Sequence, residues 1–81
     1  MKQLAIIKNV GFGCRDTNRP ILFFNTYIEE GMGALQILEV PQAMEIIKQY
    51  QVFDVKDLEG KACWVDVEDD KIIFNSVCLI K

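Results

Sequence analysis

The sequence predicts an α+β domain, a mainly antiparallel sheet of about five strands in the order β-β-β-α-β-β with one helix packed on one face. Three observations predict it. Short apolar runs recur along the chain between turn residues; two pairs of runs are joined by hairpin-like loops, Glu30-Gly31-Met32-Gly33 and Asp69-Asp70; and one stretch alone carries helical spacing.

The first strand is expected from Gln3 to Val10, with Leu4, Ile6 and Val10 on one face, Ala5 and Ile7 on the other, and Gly11-Phe12-Gly13 ending it. Cys14 to Pro20 is polar and turn-rich and reads as a loop, Pro20 biasing the residues before it toward an extended path. From Ile21 to Glu29 a second strand begins apolar on both faces, Ile21 and Phe23 against Leu22 and Phe24, as a central strand does. Gly31 and Gly33 tolerate the positive φ of a tight hairpin, so the strand Ala34 to Val40 is an antiparallel neighbour of the second.

Pro41 suits a first helical position, and Ala43, Met44, Ile46, Ile47 and Tyr50 fall on one helix face, giving a helix from about Pro41 to Tyr50. Gln51 to Gly60 matches neither period and reads as an extended link that turns at Gly60. The last strands, Lys61 to Glu68 and Lys71 to Ile80, turn at Asp69-Asp70. A two-residue loop there pairs Val65 with Phe74, Val67 with Ile72, Asp66 with Ile73 and Trp64 with Asn75. Cys63, Val65, Val67, Ile72, Phe74 and Cys78 then form a dry face for the helix to cover. Trp64, Ile73, Val77 and Leu79 share the opposite face with Asp66 and Asn75.

With 81 residues the chain is sized for a single domain, and 51% apolar with 26% charged residues is a globular composition. A net charge of −3 argues against binding phosphate backbones, so no direct nucleic acid contact is expected. Cys14, Cys63 and Cys78 show no metal-binding spacing, and without histidine they cannot complete a four-ligand zinc site; no cofactor or metal is expected. Odd cysteines and no long apolar run point to a soluble protein of a reducing cytoplasm, away from membranes.

Absent histidine and a nucleophile set beside a base argue against an enzyme. Both Gly-x-Gly tripeptides lack the third glycine and the following helix of a phosphate-binding loop. Between Asp54 and Asp70 seven acids stand against two lysines, which leaves the rest of the chain mildly basic. Two uses follow: a solvated hairpin tip, or a patch of Asp66, Glu68, Asp69 and Asp70, with Trp64, that meets a basic partner. Arg15 and Arg19 offer a different surface, forked donors for a phosphate or carboxylate near Gly11-Phe12-Gly13.

Leu58-Glu59-Gly60-Lys61-Ala62-Cys63-Trp64-Val65, with Thr26 to Gly33 upstream, resembles a group of short phage- and prophage-encoded proteins in which a glycine-rich hairpin precedes a helix and an L-x-G-K turn into a hydrophobic strand. The resemblance spans roughly residues 21 to 74, although its hairpin carries fewer glycines than some members of that group. It implies a small viral accessory protein, such as an anti-CRISPR inhibitor of host defence, and supplies no catalytic residue. The functional expectation is a non-enzymatic interaction protein that occludes a basic surface of a host protein complex, with an anionic small-molecule binder as the alternative. A helix of about ten residues is roughly 15 Å long and covers one side of the sheet, so Trp64, Ile73, Val77 and Leu79 are expected at a homodimer interface.

Overall fold

The computed structural model describes residues 1–14, 19–69 and 71–78. Its strands are β1 (Lys2–Cys14), β2 (Pro20–Ile28), β3 (Gly33–Glu39), β4 (Ala62–Glu68) and β5 (Lys71–Val77), with α1 (Val40–Tyr50) and a 3₁₀ turn, Val55–Leu58, between β3 and β4. They form one antiparallel sheet in the order β3-β2-β1-β4-β5, which establishes the expected α+β fold.

β1 is longer than its sequence pattern suggests, because Gly11-Phe12-Gly13 continues the strand instead of turning it. Lys8 pairs with Asn25 and Gly11 with Phe23, so Asn9 and Val10 together oppose Phe24. This is a β-bulge, with Asn9 at φ 57. The extra residue reverses the alternation beyond it and turns Val10 inward beside Ala5 and Ile7, not outward with Leu4 and Ile6. A bulge also bends its strand, which lets β1 serve both β2 and β4.

The link after the helix contributes more than an extended path. Asp54 caps the 3₁₀ turn by accepting from the Lys56 N–H at 2.9 Å, and Leu58 is wholly buried. Gly60 donates to the Ile7 carbonyl at 2.8 Å and Ile7 to that of Lys61 at 2.9 Å, while Lys56 Nζ reaches the Val10 carbonyl at 2.7 Å. These bonds satisfy β1 where β4 no longer flanks it.

The sheet curls until its two edges meet. β3 and β5 each run antiparallel to a neighbour of β1 and so run parallel to one another. No backbone ladder joins them; the buried side chain of Gln36 does. Its Nε2 donates to the Ile72 carbonyl at 2.8 Å and to Thr26 Oγ1 at 3.2 Å, and its Oε1 accepts from the Phe74 N–H at 3.0 Å. One amide thus presents a donor and an acceptor to alternate residues of β5, as a neighbouring strand would. With α1 between β3 and β4, the connectivity is that of the partly open five-stranded Greek-key barrel of the OB type.

Curling changes what the helix must cover. The inner face packs largely on itself, Phe24 meeting Phe74 edge to face at 5.7 Å, with Ile7, Leu22, Leu58, Cys63 and Val65 buried around them. α1 packs on β2, β3 and β5 through Ala43, Ile46 and Tyr50, and the Tyr50 hydroxyl donates to the Ala62 carbonyl. In the β4–β5 hairpin the pairs Val65–Phe74, Asp66–Ile73 and Val67–Ile72 occur as expected. A bulge at Asn75 then moves Trp64 opposite Ser76 and Cys63 opposite Val77. Val77 therefore packs against the core and not beside Trp64, and it takes the place expected of Cys78, which follows the strand.

Candidate binding face

The outward side of β1, β2 and β3 carries a contiguous group of exposed and half-buried apolar side chains. Cross-strand rows place Ile6, Tyr27 and Gly33 together, then Lys8, Asn25 and Leu35, then Gly11, Phe23 and Ile37. Leu35 is 58% exposed and Ile37 42%. Leu4, also exposed, extends the surface toward Trp64, its partner on β4, over which Lys2 Nζ lies 5.2 Å from the ring centroid.

Two aromatic rings on β2 are laid across glycines of the flanking strands. A Cβ on Gly11 would come within 2.3 Å of Phe23 Cζ, and one on Gly33 within 2.4 Å of Tyr27 Cε1. Any larger residue would lift those rings. Each ring is half-buried, backed by the glycine's backbone and open to solvent on the other side. Asn25 lies between them and donates from Nδ2 to the Tyr27 hydroxyl at 3.3 Å. Beside them is a shallow cleft of about 410 Å³ lined by Leu4, Ile6, Lys8, Tyr27 and Glu29, with Ala5 and Ile28 beneath.

Residues singled out from the sequence are distributed differently. Asp66 faces outward and accepts from Asn75 at 2.7 Å; Glu68 is exposed; Asp69 occupies the turn at φ 46; Asp70 lies outside the described residues. The tip is less acidic than its sequence, because Lys2 stands opposite Asp66 and Lys71 opposite Glu68. Of the expected dimer surface, Trp64 and Ile73 do face outward, Val77 faces inward, and Leu79 lies outside the described residues.

Arg15 also lies outside them, and Arg19 sits 3.8 Å from the Glu39 carboxylate across an exposed pair. With Gly11 and Gly13 inside β1, the turn expected to help hold an anion is absent, and Glu39 opposes a second negative charge.

No protein family, curated protein or solved structure matches the chain. The chemistry must therefore be read from its own groups. Among the described residues no cluster of acids and cysteines is placed to hold a metal, and no helix is long and apolar enough to cross a membrane. Burial pushes the Cys63 thiol and the Tyr50 hydroxyl each up to about 12, so both are uncharged near neutrality. A thiol held in that state is a core side chain and not a nucleophile.

The sequence pattern missed Phe23, Tyr27, Leu35 and Ile37 as surface groups, since an apolar strand residue reads as core on either face. The available signal was the glycine opposite each ring.

Proposed function

We propose that this chain is a non-enzymatic interaction protein that binds another protein through the outer face of β1, β2 and β3. The observation that supports this reading is the contiguous surface of Leu4, Ile6, Phe23, Tyr27, Leu35 and Ile37, because apolar patches of this kind mark contact sites. The hairpin tip, where Lys2 and Lys71 stand opposite Asp66 and Glu68, borders it through Trp64. In the phage or prophage setting that the sequence resembles, such a protein acts by covering a working surface of a host complex.

Capture from host lysate on immobilised protein tests this, with wild type compared against Leu35→Lys/Ile37→Lys. Both positions are solvent-exposed, so the fold should survive the change. A partner retained by wild type and lost by the double variant supports the reading; equal retention removes it.

The connectivity favours a second reading, single-stranded nucleic acid on the same face, because barrels of this type use strands two and three for oligonucleotides and oligosaccharides. That is an analogy of fold. The face brings Lys2 and Lys8 where phosphate binding needs several cations, and Glu29, Glu39 and Asp66 lie at its margins.

A further inference from the structure

Resting on the reading that this face binds protein, three of its properties restrict what kind of segment can occupy it. The first is size. Three strands of seven paired residues give a footprint about 14 Å wide and 23 Å long, roughly 320 Å². A stable contact between globular copies buries about 800 Å² of accessible surface on each partner, which a patch of this outline reaches only with neighbouring elements added. The face by itself is matched to a short peptide.

The second is the scarcity of polar partners. Between the two rings only Asn25 and Lys8 could bond a peptide backbone, and the Asn25 amide already donates to Tyr27. A β-strand laid on this surface would lose water from its N–H and C=O groups without replacement. A helix satisfies its own backbone but docks through a continuous apolar stripe, which Lys8 and Asn25 interrupt between the two rings. Polyproline II is the remaining regular form, since it is narrow, carries no internal hydrogen bonds and keeps its backbone hydrated.

The third is the rings themselves. Phe23 and Tyr27 stand four residues apart on one strand, about 13 Å, each held down over a glycine and open on its outer side. Aromatic surfaces of this kind are what proline-rich segments dock on in other modules.

We infer that the outer face of β1, β2 and β3 binds a proline-rich segment in the polyproline II conformation, about seven residues long, with its apolar rings against Phe23 and Tyr27. A methyl on Gly33 abolishes the Tyr27 platform without removing the ring, which makes Gly33→Ala the informative variant.

The test is titration of the isotopically labelled protein with decaproline, followed by amide NMR, alongside a glycine-serine peptide of equal length, oligothymidylate and maltohexaose. The inference expects shifts confined to 4–8, 23–27 and 33–37 with decaproline alone. Gly33→Ala and Tyr27→Leu, each checked for an unchanged circular dichroism spectrum, should weaken binding at least tenfold, and Glu68→Lys should leave it unaltered. No shifts at millimolar decaproline, or tighter binding of oligothymidylate or maltohexaose to the same residues, overturns it. If decaproline is inert while lysate capture still depends on Leu35 and Ile37, this inference fails and the broader protein-binding reading stands.

Discussion

Gln36 shows how one polar residue can close a sheet. Read along β3 it looks like a solvent-facing position, yet it is buried and bonds Ile72, Phe74 and Thr26. The sequence carried no sign of this, because the partners lie 36 and 38 residues away on a strand that β3 does not pair with by backbone. Gln36→Met keeps the volume and removes the bonds, leaving buried donor and acceptor groups of β5 unpaired. Each such group costs about 1–3 kcal/mol, so denaturant unfolding should show a loss of about 2–4 kcal/mol, and a change below about 0.5 would mean that the clasp is dispensable.

Tyr50 and Cys63 couple the fold to alkaline pH. Burial raises them from 10.0 and 9.0 to about 12 each, so the folded state binds their protons more tightly than the unfolded chain. Their contribution is therefore complete below pH 9 and lost as the pH rises toward 12. Melting temperatures across that range should fall, and Tyr50→Phe and Cys63→Ala should each flatten the decline. Equal slopes in all three proteins would contradict this assignment.

At the scale of elements, the element order, the helix and both hairpins were legible because each rests on local signals: the glycines of 30–33, Pro41 with a periodic apolar face, and the acidic pair after Glu68; the far end of β1, expected at Val10 and found at Cys14, was not. The two bulges were not. Neither at Asn9-Val10 nor at Asn75 does composition announce an extra residue, and each one turns the alternation beyond it to the other face, which is how Val10 and Val77 came to be misplaced. Gly11 and Gly13 looked alike in sequence, but a Cβ strikes Phe23 at Gly11 and meets nothing within 4 Å at Gly13. Gly11→Ala should destabilise by about 1–3 kcal/mol or displace the Phe23 ring, and Gly13→Ala should stay within about 0.5 kcal/mol of wild type. Thermal unfolding of the pair decides it, and equal effects would show that the glycine–ring contact has no consequence.

For the whole molecule, one short helix against two sheet faces leaves an apolar surplus that the sequence alone places on the β4–β5 hairpin. The bulge at Asn75 turns Val77 away from that face, and the curled sheet leaves Leu4, Phe23, Tyr27, Leu35 and Ile37 outward on β1, β2 and β3. Among the described residues the hairpin retains Trp64 and Ile73 outward, beside Asp66 and Lys2. Sedimentation at micromolar concentration should accordingly give a monomer, and a dimer that survives Leu35→Lys/Ile37→Lys would place an interface elsewhere.

The central claim is that the β1–β2–β3 face is where this protein meets its partner. Hydrogen–deuterium exchange of the complex with a captured partner tests it most directly. The account predicts slowed exchange in 4–8, 23–27 and 33–37 with the helix unaffected; protection confined to α1, or to the hairpin tip around Glu68 and Asp69, would contradict it.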